Sequence, residues 1–357
     1  MRVAVIGAGV VGLATSAALL EAGAEVSCFE AVRAMSQRST GSSRIFRLAH
    51  GTQRLVSLAI EARVGYARWS ELAGRPLVGA QRTVVAGPVV PSWAAAMRAA
   101  GAEVRTPESG AAGVGLPVSV RDGPVLVDPA GGVIDAAAVG EFLVSVVGRD
   151  LVPRAVRRIG VDGTGVRVFA GSSGGSSGGS SGGEYFDACV LAAGAATPAL
   201  AAQVGLVVAA RPAHHARFTF RLCDSSVRPP CLLDKSESWR PGFTSYQHLT
   251  APGRWAVGAH QAGLDESVGE VDRQAAIERA REFTTAYVRE MVPDVDPEPL
   301  EQLYCDSHPD WGDGFVVQRA GAVLEVHGDN LFKLAPTIGH RLALAALDGC
   351  TPTSALT

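Results

Sequence analysis

"RVAVIGAGVVGLATSAALLEAGAEVSCFEA", residues 2–31, decides the fold. Arg2 to Ile6 is a short apolar strand. Gly7-Ala8-Gly9-Val10-Val11-Gly12 follows as G-x-G-x-x-G. Val11 to Glu21 then predicts a helix, and Glu25 to Glu30 a second strand that ends in an acid. Each glycine has a physical reason: Gly7 allows a tight turn, Gly9 lets a pyrophosphate approach the backbone, and Gly12 lets helix and strand pack closely. The helix N-terminus presents unpaired N–H groups and the positive end of its dipole to phosphate, which makes Val10, in the glycine motif, and Val11, at the helix start, cofactor-binding candidates. Glu30 is placed to bind ribose hydroxyls. Strand, glycine motif, helix, strand and acid in this order predict a nucleotide-binding unit. The motif alone does not separate FAD from NAD.

A second stretch narrows the choice. "FDACVLAAGAATPAL" reads as a buried strand, an Ala192-Ala193-Gly194 turn and a helix started by Pro198. It resembles the late sheet strand and turn of glutathione-reductase-type FAD domains, which would place Ala193 and Gly194 at the cofactor. By the same resemblance Val156, in "RAVRRIGVDG", sits in the strand that backs the adenine.

At 357 residues the chain is long enough for two domains, and 47% hydrophobic residues supply a large core. A net charge of −3 gives no electrostatic case for nucleic acid or an anionic membrane. The six cysteines lack short paired spacings and read as reduced thiols, which points to the cytoplasm. No segment has the length and apolarity of a membrane span, so the chain reads as soluble. The apolar start lacks a cleavage-type ending, and Glu21 interrupts it. "GSSGGSSGGSSGGE", from Gly171 to Glu184, is a four-residue repeat that predicts flexible coil over 171–183, replacing or extending a hairpin loop. Its repeated G-x-S-x-G matches carry no nucleophile, because a nucleophile elbow needs a strained turn.

"RSTGSSRIFRLAHG" resembles the "G-S-S-H-G-D-T-R-I-I-R-H-A-Y-G" segment of the monomeric sarcosine oxidase and N-methyltryptophan oxidase group, within the D-amino-acid-oxidase-like flavoproteins. "LFKLAPTIGHRLALAALDG" resembles that group's "G-F-K-F-S-S-G-V-G-E-x-L-x-x-L-A-L-T-G". The resemblance implies an α/β architecture, with a Rossmann-type, glutathione-reductase-like FAD domain from residues 1–78, 136–206 and 306–357. A mixed-sheet α+β substrate domain would come from 79–135 and 207–305. It implies FAD-dependent oxidation of a C–N bond in an amine or N-substituted amino acid. Arg47 and Lys333 would dock the substrate carboxylate, with Lys333 also at the cofactor. Arg44 would lie against the flavin with Ser43 beside it, and His260 falls on an active-site histidine.

Cys305, in "EQLYCDSHPDWGDGFVVQ", has Phe315 ten positions later, the spacing of the group's flavin-linked cysteine. The resemblance therefore implies FAD held by a thioether at Cys305. An unmodified core thiol is the plain alternative. A Cys305–His308 zinc half-site lacks a second pair, so no metal is expected.

The departures concern the electron acceptor and the pocket. Ala256 stands at the group's lysine that speeds reaction of reduced flavin with oxygen, and Arg254, on the same strand face, is a candidate substitute. Thr40 and Ser307 replace a histidine and a tyrosine. A flavin dehydrogenase acting on a bulky biosynthetic amine, free or carrier-bound, and a non-catalytic flavin-binding module stay open beside the oxidase. Oxygen or another acceptor would take the electrons. Trp239, Tyr246 and His248 are pocket candidates that core packing would explain equally well.

Overall fold

The computed structural model describes residues 1–108, 110, 114–118, 123–171, 183–262 and 267–356. The chain packs as two units: residues 1–40, 137–210 and 308–356 form one, and residues 41–136 and 211–307 the other. Residues 41–78, expected with the nucleotide-binding segments, pack in the second unit. The reason is a long-range pairing: the Ser43–Phe46 strand pairs antiparallel with Gly132–Asp135 of that unit.

The first unit is built on a seven-stranded sheet. Its order is Ala355–Leu356, Gly314–Ala320, Val323–Asp329, Ala188–Leu191, Arg2–Ile6, Glu25–Phe29 and Leu151–Val152. The five strands from Val323–Asp329 to Leu151–Val152 run parallel, and Gly314–Ala320 pairs antiparallel with both of its neighbours. Near-continuous apolar runs such as Val3–Ile6 and Ala188–Leu191 suit parallel strands buried on both faces. The Val10–Glu21 helix follows the first strand and begins at an uncapped Gly9. It packs tightly on the Ala335–Asp348 helix, where a Cβ on Gly339 would fall 2.6 Å from the Ala14 backbone.

The "FDACVL" run is not one continuous strand. Asp187 interrupts it: the Asp187 carboxylate accepts from the Arg2 N–H at 2.6 Å, and the Asp187 N–H donates to the Arg2 carbonyl at 2.9 Å. Glu184–Phe186 on one side pairs antiparallel with Gly165–Gly171, and Ala188–Leu191 on the other joins the parallel sheet. The SSGG tract expected to be coil lies outside the described residues, apart from its ends at Gly171 and Gly183.

The second unit has its own seven-stranded mixed sheet. The order is Val295–Ser307, Ala213–Leu222, Arg254–Gln261, Phe243–Ala251, Cys231–Asp234, Thr83–Ala86 and Val125–Asp128, antiparallel except for the pair Cys231–Asp234 with Thr83–Ala86. One face packs on the Arg273–Met291 helix through Phe218, Phe220, Phe243, Trp255 and Val257 against Ile277, Tyr287 and Val288. Asp272 caps that helix, accepting from the N–H groups of Gln274 and Ala275. Gln247, also on this face, accepts from Trp255 Nε1 and donates to the Tyr287 hydroxyl, each at 2.8 Å. Trp239 joins this apolar layer, so the core explanation holds for it. Strand alternation sends His215, Arg217, Tyr246, His248 and Cys305 to the opposite face.

Candidate active site

In the first unit the glycine loop is a cradle that side chains would fill. Gly7 has φ +100°, and a Cβ there would meet the Ala192 carbonyl oxygen at 2.4 Å. A Cβ on Gly12 would lie 1.8 Å from the Gly7 oxygen. Gly9 has only the Ser39 hydroxyl near its missing side chain, and that hydroxyl accepts from the Val10 N–H at 3.0 Å. Val10 and Val11 open the helix above the cradle. Glu30 follows the second strand, and its carboxylate accepts from the N–H groups of Ala8 at 2.9 Å and Val32 at 3.0 Å. A carboxylate has about four lone-pair positions, so capacity remains for ribose hydroxyls. Ala193 and Gly194 turn the chain directly after the Ala188–Leu191 strand. Val156 lies in the Ala155–Asp162 strand of a three-stranded antiparallel sheet and packs at the edge of this unit's core. A side-chain-free glycine cradle at a helix start and an acid held at the loop are the features a dinucleotide site uses, so these residues fit FAD.

Lys333 belongs to the same unit. It is 4% exposed, and its ammonium donates to Asp313 Oδ1 at 2.8 Å and to the Asn330 carbonyl at 3.1 Å. Its charge is thus balanced by an acid. The unit also holds a cluster that sequence reasoning missed. His308 stacks on Trp311 at 3.9 Å, His327 lies 5.1 Å from the same indole, and His327 Nδ1 meets the buried Glu325 carboxylate at 2.9 Å. Burial pushes the Glu325 carboxyl above its ordinary range, and the hydrogen bond from His327 opposes that.

In the second unit the polar sheet face gathers the remaining residues. Ser43 Oγ lies 3.0 Å from His248 Nε2, and Arg217 Nη1 lies 3.3 Å from that same nitrogen. Arg44 Nη1 and Arg217 Nη1 both donate to the Ser43 carbonyl, at 2.7 Å and 3.1 Å. Burial lowers the Arg44 guanidinium from its usual range, and the neighbouring Arg217 charge adds to this. Arg217 is lowered chiefly by burial. His248 is driven well below the ordinary imidazole range by burial, then by the charges of Arg217 and Arg44. It is therefore neutral.

Cys305 lies near the end of the Val295–Ser307 strand, opposite His215, whose Nε2 meets the Tyr246 hydroxyl at 2.8 Å. Cys305 is half-buried. Cys28, Cys189 and Cys231 are fully buried with thiols pushed up to about 12, and Cys223 and Cys350 are exposed. A partly accessible thiol beside cations is the setting in which cysteines react. Phe315 and His308 belong to the other unit.

Other expected residues sit elsewhere. Arg47 is buried, with Nη1 donating to the Ala49 carbonyl and 3.1 Å from His50 Nδ1, and its guanidinium lies over Trp93. His260 is exposed at the far end of the Arg254–Gln261 strand, opposite Thr244. Arg254 is exposed and ion-paired with Glu301. Ala256 is buried directly opposite His248. Arg217 was missed, although "ARFTFRL" carries its signal: the strict alternation puts an arginine on the face opposite Phe218 and Phe220.

A parallel nucleotide sheet with a separate mixed sheet defines a two-unit flavoprotein architecture. The model of FAD-dependent oxidoreductases (DAO) matches residues 2–345. The chain belongs to this family. Among solved structures it is similar to NikD, "an unusual amino acid oxidase essential for nikkomycin biosynthesis", with TM-score 0.76, 20% identity, and 99% of this chain and 98% of that one covered. It is also similar to L-proline dehydrogenase from P. horikoshii (0.77, 15%, 98% and 93%). Glycine oxidase from Geobacillus kaustophilus is a third (0.73, 18%, 97% and 94%). At such identities the likeness is one of fold. No curated relative matches by sequence.

Proposed function

We propose that this FAD-dependent oxidoreductase converts the C–N single bond of an amine or N-substituted amino acid into an imine. The observation that carries the reading is a polar sheet face, in a chain of this family, where two guanidiniums converge beside a half-buried thiol. The substrate loses a hydride from its α-carbon and a proton from its nitrogen. Bound FAD supplies the two-electron acceptor. Gly7, Gly9, Gly12 and Glu30 would hold it, and Cys305 would anchor it by a thioether. Arg44 would oppose negative charge that develops on the ring, and a fixed cation costs no reorganisation at the moment of transfer.

Acid precipitation of the purified yellow protein tests the anchor. Colour retained in the pellet, with the Cys305 peptide heavier by the mass of FAD, is the expected outcome. FAD released to the supernatant leaves Cys305 an ordinary thiol. Anaerobic mixing with a panel of amines and amino acids tests the reaction: bleaching of the flavin supports it, and bound FAD that no amine bleaches supports an idle binding module.

Position 256 favours a second reading, a dehydrogenase that reacts slowly with oxygen. A buried alanine stands there, facing a neutral histidine. Arg254, the candidate substitute, is exposed and offset by Glu301, and exposed pairs have little electrostatic reach. The Arg254→Ala variant is expected to reoxidise in oxygen at the rate of the parent protein. A tenfold slower rate would restore Arg254 as the substitute cation.

A further inference from the structure

Several buried or half-buried cations in this protein have evident counterparts. Lys333 has Asp313, Arg38 has Asp329, and Arg47 lies within the field of Asp128 with the Ala49 carbonyl on its Nη1. Arg217 differs. It is 6% exposed, and its hydrogen bonds go to two neutral acceptors, the Ser43 carbonyl and His248 Nε2. Its Nε has no hydrogen-bond partner among the described residues, and neither has Nδ1 of His248, which is 1% exposed. Of the groups that bear on Arg217, Tyr246, Cys305 and then Glu301, the one carboxylate, Glu301, is itself exposed and paired with Arg254.

A buried guanidinium without an anion is costly, and a second one drawn to the same carbonyl raises the cost. A purely structural role does not account for this, since an apolar side chain would fill the position without the desolvation. A planar anion would resolve it. A carboxylate accepts from two guanidinium forks at once, and Arg44 and Arg217 both reach the single Ser43 oxygen, so their donors lie within the compass of one such group. Half-buried Arg44, Tyr246 and Cys305 leave the face accessible to a small ligand.

We propose that Arg217, supported by Arg44, is the specificity-determining residue of this chain and docks a carboxylate of the substrate on the central strands of the mixed sheet. The proposal rests on the C–N oxidation reading for the identity of that ligand. It moves the docking role from Arg47, whose guanidinium is engaged among Ala49, His50 and Trp93. His248 acts as a positioning residue: neutral, it accepts from Arg217 without adding a third positive charge.

The test titrates benzoate into the FAD-loaded protein and follows both the visible flavin spectrum and Tm. Parent protein is expected to bind benzoate with a spectral shift and a rise in Tm. Arg217→Gln should keep its FAD and lose benzoate affinity by about 30-fold or more, the scale for removing one partner of a buried charge pair. Arg217→Lys, which keeps the charge but not the fork, should fall between the two and serves if the glutamine variant does not fold. Without ligand, Tm of the glutamine variant should equal or exceed that of the parent, a result a structural arginine would not give.

Unchanged benzoate affinity in a folded, FAD-loaded Arg217→Gln protein would overturn the proposal. So would failure of the parent protein to bind benzoate. Loss of FAD from a folded variant would also overturn it, because the anion would then be the cofactor's own. The amine panel separates this from the reading beneath it: Arg217-dependent benzoate binding with no bleaching by any amine sinks C–N oxidation and leaves the carboxylate dock standing.

Discussion

His248 is held neutral between two guanidiniums, and this has a measurable consequence for stability. Its ordinary value is 6.5, and burial with the Arg217 and Arg44 charges lowers it in the folded state. Below pH 6.5 the unfolded chain takes up a proton that the folded site refuses. Stability is therefore complete above the ordinary imidazole range and declines as pH falls below it, by about 1.4 kcal/mol per pH unit for one such group. Urea midpoints at pH 5.0 and 7.5 should diverge in the parent protein and draw together in His248→Gln. An equal divergence in both would assign the slope to other groups. Gly12 gives a prediction of a different kind. A methyl group 1.8 Å from the Gly7 carbonyl cannot be accommodated by a side-chain rotation. Gly12→Ala should lower stability by about 1–3 kcal/mol, the range for overpacking, and release FAD. A variant with parental Tm and full FAD content would show that the loop is not the cradle described above.

Elements show where sequence is informative and where it is not. The first strand, glycine loop and helix were legible because all their constraints lie within thirty residues, and the observed helix Val10–Glu21 starts one residue earlier than expected. The Ser43–Phe46 strand was not assigned to its unit, because its partner Gly132–Asp135 is nearly ninety residues away. Arg217 was hidden for a similar reason. Alternation in "ARFTFRL" tells that an arginine faces away from the phenylalanines, yet only the pairing of Ala213–Leu222, Arg254–Gln261 and Phe243–Ala251 brings His248 and Tyr246 to it, and Ser43 comes from a strand outside that sheet. Asp187 broke an apparently continuous strand through one side-chain contact to Arg2 that no periodicity announces. The Arg273–Met291 helix tests element-level reasoning directly. Asp272→Ala removes the acceptor for two first-turn N–H groups and should cost about 1 kcal/mol, read as a lower Tm with FAD content unchanged. No loss of Tm would mean that packing on the sheet, not the cap, holds that end.

At the scale of the molecule, composition and both terminal motifs sufficed for the family and the α/β class, since the family match spans residues 2–345. The division into units is less legible because each is assembled from separated segments. That assembly has a temporal consequence. In the nucleotide-binding sheet, Arg2–Ile6 is flanked by Glu25–Phe29 and by Ala188–Leu191, which in turn needs Val323–Asp329. A growing chain carries its Gly7–Gly12 loop about three hundred residues before Val323–Asp329, the strand that completes the parallel part of the surrounding sheet. Pairings so distant in sequence form slowly and leave apolar strand edges open meanwhile. The nascent chain thus keeps an apolar edge open on Arg2–Ile6 until Ala188–Leu191 is made, and on that strand until Val323–Asp329 follows, so its yield in a living cell should depend on chaperones and translation speed as well as on the stability of the finished fold.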